Sequence, residues 1–231
     1  MTTDPAAEAG ADQRLRWSVT ASRPGQPQGE VRGRGVALLR WGFAGVAVGL
    51  VAWLSYTRGG WVPFLSGVDL GVHEFGHLLF AWAPFLVVAL AGSALQVAAP
   101  AALAGYFAWR GDRLGASLLV GWLGMSLHNV AVYLGDAERM VLPLFGDDGS
   151  GAGHDWHNVL GALGWLERTD AIAGFVTALS VLAFLAALGL IGWWAWRDLR
   201  PGPAWQLPVR VRQPGPTGRR AAPGAPPLGG A

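Results

Sequence analysis

Charged side chains are absent from four long stretches of the chain, and the segments between those stretches are polar. Residues 41–57, 78–109, 114–135 and 171–196 contain no Asp, Glu, Arg or Lys. A soluble helix of that length needs a solvated polar face, whereas a helix that crosses a hydrocarbon core needs about 20 apolar residues. The pattern therefore excludes a soluble globular enzyme. It predicts an all-α fold, a polytopic membrane helix bundle with the lipid bilayer as its first partner.

Turn-forming residues and a proline divide the apolar regions into five predicted helices. Pro84 suits the first turn of a helix and not its interior, so it separates a short helix from the long one that follows. A polar loop over 135–169 precedes the last helix, and its amphipathic part is predicted to lie at the membrane surface as a lid. The predicted helices are 36–56, 66–82, 84–109, 114–134 and 171–196.

Arginine supplies all 17 basic residues, and its distribution orients the predicted helices. If the helix at 66–82 enters the membrane without crossing it, 14 arginines lie on one side and three on the other. If that helix crosses, the two sides carry eight and nine. Cytoplasmic segments carry the excess of basic residues. The sequence therefore predicts four spanning helices, a re-entrant or short fifth helix, and two cytoplasmic termini in a bacterial plasma membrane.

The two ends of the chain differ in composition from the apolar region. Residues 1–35 and 201–231 are rich in Ala, Gly, Pro and Arg, so they are predicted to be a disordered arm and a disordered tail around a helix bundle at 36–200. No compact basic patch with interleaved aromatic residues occurs, so nucleic acid is not expected as a partner. Cysteine is absent, which excludes disulfides, thiolate zinc sites and cysteine nucleophiles.

Residues 73–77 read His-Glu-Phe-Gly-His, a pattern that carries chemistry on a helix. His73 and His77 share one helical face and can bind one zinc ion, while Glu74 can act as general base on a zinc-bound water. Gly76 leaves room for a close helix or a substrate backbone. Asp69 lies one turn before His73, where it either orients an imidazole or caps the helix N-terminus. Intramembrane ionisable groups are functional candidates, and the alternative is a polar patch that is hydrogen-bonded within the bundle.

A catalytic zinc site needs a third protein ligand, and the helix at 114–134 offers the first candidate. Asn129, Tyr133 and Asp136 lie at i, i+4 and i+7, which is one helical face. Asp136 is therefore predicted as the third metal ligand, with Asn129 and Tyr133 holding the substrate or the ligand. The alternative for Asp136 is a polar residue at a helix end.

The outer loop offers a second source of ligands. His154 and Asp155 are adjacent there and can supply a metal ligand or a pair that supports one. His128 points about 100° away from Asn129 on an ideal helix, so the two cannot both face the metal. The order of preference for the third ligand is Asp136, then His154, then His128.

The His-Glu-Phe-Gly-His helix in a membrane protein resembles the site-2 protease family of intramembrane metalloproteases. In that family two histidines and a distant aspartate bind zinc and the glutamate activates water. By resemblance, His73, His77 and Asp136 would be the ligands and Glu74 the base. The family's aspartate follows an asparagine and prolines, whereas here the prolines are missing. Residues 92–96 loosely resemble a family helix that carries a Gly and an Asn three residues later.

Three classes of function follow from these patterns. The first is a zinc-dependent membrane hydrolase, in particular a peptidase that acts near the outer interface, with His154 or Asn129 stabilising the oxyanion. The second is a metal-binding membrane protein that is not a protease, such as a sensor, a carrier or a lipid-directed enzyme. The third is a structural membrane protein whose histidines pair within the bundle.

Overall fold

The computed structural model describes residues 27–143 and 153–200 of the 231-residue chain. Within these ranges the chain forms six α-helices and one 3-10 turn, and no strand is present there. The predicted all-α helix bundle is therefore confirmed. The helices are α1 (Pro27–Thr57), α2 (Leu65–Leu79), α3 (Phe85–Trp109), α4 (Arg113–Gly135), α5 (Asp155–Leu163) and α6 (Thr169–Leu199), with the 3-10 turn at Leu166–Arg168.

Four helical segments are long and apolar enough to cross a membrane, as in an integral membrane protein. They are Gly33–Thr57, Phe85–Trp109, Arg113–Gly135 and Leu166–Leu199, which match the four predicted spans. Helix α2 has 15 residues and is about 22 Å long as an α-helix. That is less than the roughly 30 Å of a hydrocarbon core, so α2 is too short to count among the spans.

The ends of the bundle differ slightly from the predicted boundaries. Helix α1 begins at Pro27, earlier than the predicted start at residue 36. Residues 1–26 and 201–231 lie outside the described residues, so their predicted disorder stays a prediction. The predicted side of the membrane for each terminus also stays a prediction.

Helices α1, α4 and α6 share the main apolar core. Small residues on α4 allow close packing, since Gly121 faces Val48 of α1 and Gly124 faces the Phe184 ring of α6. Small residues serve this purpose in membrane bundles, where van der Waals contact drives helix association. The buried members of the core are Trp41, Ala44, Val48, Val62, Met125, Phe184, Ala187 and Ile191.

Helix α2 packs on α3 with its polar face inward. A Cβ atom on Gly76 would lie 2.4 Å from the backbone oxygen of Ala91, so the absence of a side chain there permits direct helix contact. The sequence predicts that Gly76 leaves room for a close helix or a substrate backbone, and α3 is the helix found there. The side of α2 that points away from the bundle is apolar, with Phe75, Leu78 and Leu79 exposed, as is typical of a surface that contacts lipid.

Helix α5 packs against α3 and α4 rather than standing apart from the bundle. Leu160 joins Leu134 and Ala137 in a second apolar cluster, and the Trp156 indole donates a hydrogen bond to Ser93 Oγ at 3.1 Å. The amphipathic helix predicted in the loop 135–169 is thus present, and it is docked on the bundle. This docking brings its first residue, Asp155, to the face of α2.

Candidate metal centre

The motif on α2 places its two histidines side by side. His73 is buried and Glu74 and His77 are half-buried, and the two imidazole centroids are 4.7 Å apart. The i, i+4 spacing on one helical face produces this arrangement. The motif therefore presents two imidazoles and a carboxylate to the same region.

Asp155 at the start of α5 completes a group of three potential metal ligands. Its Oδ2 lies 3.1 Å from His73 Nε2 and 3.3 Å from His77 Nε2. The three ligand atoms lie within 4.8 Å of one another, and this is the one such group of His, Cys, Asp and Glu among the described residues. The structure thus brings Asp155, rather than Asp136, to the two histidines.

The spacing of these atoms fits a tetrahedral metal ion. Zinc–ligand bonds of about 2.0–2.1 Å in a tetrahedron place the ligand atoms about 3.3 Å apart. The two distances from Asp155 Oδ2, 3.1 and 3.3 Å, match that separation. The donor set of two imidazoles and one carboxylate leaves a fourth position for water or substrate, as in a catalytic site.

Both imidazoles direct Nε2 toward Asp155 because Nδ1 is engaged elsewhere. His77 Nδ1 donates to the backbone oxygen of Val88 at 2.8 Å, and His73 Nδ1 donates to Gln96 Oε1 at 3.1 Å. An N–H donated in this way fixes the tautomer and leaves the Nε2 lone pair for a metal. The Nε2 lone pairs of both imidazoles then face the Asp155 carboxylate oxygen. This contact is attractive only if a metal ion lies between them or if the imidazoles carry protons.

Gly92 of α3 leaves open the space next to the two Nε2 atoms. A Cβ atom at this position would lie 2.6 Å from His73 Nε2 and 2.6 Å from His77 Nε2. Any other residue would therefore crowd the two nitrogen atoms that would hold an ion. The glycine is a second, independent feature that fits a metal site.

Tyr133 of α4 holds Asp155 in position. Its hydroxyl accepts a hydrogen bond from the Asp155 backbone N–H at 2.9 Å and donates to Asp155 Oδ2 at 3.3 Å. The same ring packs edge-on against His73, with centroids 5.9 Å apart. Tyr133 was predicted to hold the substrate or a ligand, and here it contacts the candidate ligand.

Asp69 is connected to His73 through Gln96. Asp69 Oδ1 accepts hydrogen bonds from Trp122 Nε1 at 2.7 Å and Ser126 Oγ at 3.1 Å, and Oδ2 accepts from Gln96 Nε2 at 3.3 Å. The carboxylate therefore caps no helix end and touches no imidazole directly. Its influence on His73 passes through the amide of Gln96.

Asp136 and His154 lie side by side, and His154 Nε2 has no hydrogen-bond partner among the described residues. Asp136 Oδ2 accepts from the Leu142 N–H at 2.8 Å and lies 3.7 Å from His154 Nε2. His154 is fully buried, its Nδ1 accepts from the His157 N–H at 3.2 Å, and its ring stacks on Tyr133 with centroids 4.5 Å apart. Burial lowers the pKa of the His154 imidazole, although the Asp136 carboxylate acts in the opposite direction. His154 Nδ1 caps the start of α5 by this hydrogen bond to the His157 N–H.

The remaining histidines lie apart from the group of three. His128 Nδ1 is 2.9 Å from Ser55 Oγ, and its ring packs on Tyr56 with centroids 4.0 Å apart. Its direction away from Asn129 agrees with the helical geometry. His157 Nδ1 donates to the backbone oxygen of Ala137 at 2.8 Å, which fastens α5 to the end of α4.

A cleft of about 530 Å³ opens onto the candidate centre. His73, Glu74, His77 and Asp155 line it, together with Asn129 and Tyr133. Trp61, Leu70 and Pro143 supply an apolar part of the wall. The volume is that of a small-molecule or short-segment site. His154 and Asp136 do not belong to its lining.

Comparison with known proteins finds no matching family model, no matching curated protein and no matching solved structure. The resemblance to site-2 proteases therefore stays a prediction that rests on the motif.

Sequence reasoning missed Gln96 as a partner of His73 and ranked Asp155 too low. The signal for Asp155 was present, since His154 and Asp155 directly precede an amphipathic helix. Gln96 and Ser93 are the two polar side chains in the apolar run 85–105, and a buried polar group there needs a partner.

Proposed function

We propose that this protein is a zinc-dependent membrane hydrolase and that peptide bonds are its substrates. The observation that carries the proposal is the convergence of His73 Nε2, His77 Nε2 and Asp155 Oδ2 in a cleft that Glu74 also lines. These three residues would hold the ion, and Asp155 takes the place that the sequence favoured for Asp136. The choice of zinc follows from two imidazoles and a carboxylate at tetrahedral spacing, and the choice of peptide follows from the use of this motif in metallopeptidases.

When bound, zinc would lower the pKa of water and polarise a carbonyl. Glu74 takes the proton from the attacking water as the new C–O bond forms. It then delivers that proton to the leaving amine as the C–N bond breaks. Glu74 suits this role because it is half-buried and makes no hydrogen bond to any described residue.

Asn129 is the proposed contact for the substrate carbonyl. One N–H of its amide donates to the backbone oxygen of Gly60 at 3.3 Å, and an amide nitrogen carries a second N–H. The side chain lines the cleft, so that second N–H is available to a carbonyl oxygen that gains charge.

The decisive experiment separates metal binding from hydrolysis. The purified protein in nanodiscs is tested for zinc content by mass spectrometry and for cleavage of a library of quenched fluorescent peptides. We expect Glu74→Gln to keep about one zinc per chain and to lose cleavage, whereas His77→Ala loses both. Glu138→Gln, the same change at an exposed carboxylate, should keep both.

Two results would overturn the proposal. Cleavage that survives in Glu74→Gln would remove Glu74 from the mechanism. Zinc that depends on His73 and His77, with no cleavage of peptides or of phospholipid in the same nanodiscs, would replace the hydrolase with a metal-binding sensor or carrier.

A further inference from the structure

Gln96 lies at the centre of a chain of hydrogen bonds. The acceptor at each end of this chain determines which atom donates and which accepts in each bond. At one end the Gly60 carbonyl accepts from Asn129 Nδ2, and Asn129 Oδ1 in turn accepts from Gln96 Nε2 at 2.9 Å. At the other end Asp69 Oδ2 accepts from the same Gln96 nitrogen. Carbonyl and carboxylate oxygens only accept, so the amide nitrogen of Gln96 must point toward Asp69 and Asn129.

The orientation of Gln96 then dictates the protonation of His73. With its nitrogen engaged, Gln96 presents Oε1 to His73 Nδ1 at 3.1 Å. Because an amide oxygen cannot donate, Nδ1 carries a proton, and Nε2 is left to face Asp155 Oδ2 at 3.1 Å, either as a second N–H or as the ligand of a metal ion. His77 obtains the same tautomer from a backbone oxygen, that of Val88, which no side-chain substitution removes.

We infer that Gln96 is the positioning residue of the candidate centre. Asp69 and Asn129 orient its amide, and the amide holds His73 in the Nδ1–H tautomer with Nε2 directed at Asp155. The inference deepens the proposed function and rests on it for the metal, but the tautomer of His73 can be measured without metal. Gln96 contacts His73 at Nδ1, so its effect on a metal ion held at Nε2 would pass through the imidazole ring.

A merely structural role for Gln96 would not change the tautomer of one histidine. Gln96 also ties α3 to α2 and α4, and its loss would weaken that packing. Ser180 provides a matched control, because its buried hydroxyl joins α6 to the Gly124 oxygen at 2.6 Å and to Tyr56 at 2.9 Å. Ser180→Ala removes buried hydrogen bonds remote from His73 and should leave its tautomer unchanged.

The first measurement is the 15N spectrum of the metal-free protein labelled at histidine, at about pH 8, where an ordinary imidazole is neutral. The His73 signals are identified by their loss in His73→Ala. Asp155→Ala is the background for this measurement, because the Asp155 carboxylate otherwise competes for a proton on Nε2. In that background we expect Nδ1–H for His73, and a shift toward Nε2–H when Gln96→Leu, which cannot accept, is added. Gln96→Glu should keep Nδ1–H, because one carboxylate oxygen still accepts while the other shares a proton with Asp69.

Asp69→Asn is the second variant, and it applies if Gln96→Leu does not fold. Three donors surround Asp69, so an amide in its place sets an NH2 group against one of them. Asn129 Oδ1 is then the one acceptor that still orients the Gln96 nitrogen, so the amide is held less firmly and a fraction of His73 takes the other tautomer. A single Nδ1–H tautomer retained in Gln96→Leu, or in Asp69→Asn where Gln96→Leu does not fold, would overturn the inference.

The second measurement is zinc affinity by competition with a chelator. Loss of a hydrogen-bond partner of a ligand histidine typically lowers metal affinity about 10–100-fold, and we expect this for Gln96→Leu. Asp69→Asn should act in the same direction, and the double variant should not add the two losses because they share one path. If zinc binding does not depend on His73 and His77, the proposed centre fails, whereas the tautomer result still decides the role of Gln96.

Discussion

Helices α2 and α6 each bury a stripe of residues spaced three or four positions apart. The buried residues of α2 are mostly polar, and those of α6 are mostly apolar. Helix α2 buries Ser66, Asp69, His73 and Gly76, and the long middle of α6 buries Ser180, Phe184, Ala187 and Ile191. In both helices the spacing of three and four residues marks the side that faces the protein. The difference shows that periodicity locates the buried face of a membrane helix, and only residue chemistry tells whether that face packs or binds.

The polar stripe of α2 is stable in the bundle because its members have partners. Ser66 Oγ accepts from the Val62 N–H at 2.8 Å, Asp69 accepts three hydrogen bonds, and His73 donates to Gln96. Polar groups at membrane depth are costly unless they are paired. The stripe of α6 mostly needs shape complementarity, so substitutions in the two helices should affect different properties.

Substitution of Gly92 should produce the largest effect and tests whether the α2 stripe binds an ion. The Cβ atom of Gly92→Ala would occupy the space 2.6 Å from both Nε2 atoms, where close packing leaves no room for an additional atom. We expect bound zinc to fall from about one per chain to none, as measured by mass spectrometry of the purified protein.

Gly105→Ala is the control for this change. It lies on the same helix, and a Cβ there meets no atom within 4 Å, so zinc content should remain unchanged. If Gly92→Ala retained zinc that His77→Ala loses, the ion would lie away from the face of Gly92 and the proposed geometry would be wrong.

Substitution of Asp155 should have the next largest effect, and it decides between the two candidate third ligands. Asp155→Ala removes the carboxylate oxygen that faces Nε2 of both imidazoles. Loss of a ligand should exceed the roughly 10–100-fold that loss of a ligand's hydrogen-bond partner costs, so we expect more than about 100-fold weaker zinc binding in a chelator competition.

Asp136→Ala is the matched comparison for Asp155→Ala. The Asp136 carboxylate contacts Leu142 and His154, next to the start of α5. We therefore expect zinc affinity to fall by no more than about 10-fold, as for a group that supports a ligand. The reverse order of the two losses would restore Asp136 as the third ligand, as the family resemblance implies.

The helices and the motif could be predicted from sequence because they depend on local patterns. Charge-free runs define the spans, and His73, Glu74 and His77 share a face through helical geometry alone. Asp155 depends on how α5 docks on α3 and α4, and Gln96 depends on which residue of α3 meets His73. Both are long-range contacts that one helix cannot reveal. Asp136 was favoured by its phase on α4, but α4 ends at Gly135, and Asp136 turns toward His154 instead.

Substitution of Gly124 should have the smallest effect on the candidate centre and tests whether the apolar stripe of α6 acts only in packing. A Cβ atom at Gly124 would lie 3.0 Å from the Phe184 ring, and overpacking of this kind typically costs about 1–3 kcal/mol. We expect Gly124→Ala to lower the apparent unfolding temperature in detergent, whereas Gly189→Ala, with no atom within 4 Å, does not. Zinc affinity should be the same in both variants because Phe184 belongs to the core of α1, α4 and α6 and not to the lining of the cleft. If Gly124→Ala weakened zinc binding as much as Gly92→Ala, the two stripes would form one cooperative unit, and the division between a packing helix and a binding helix would fail.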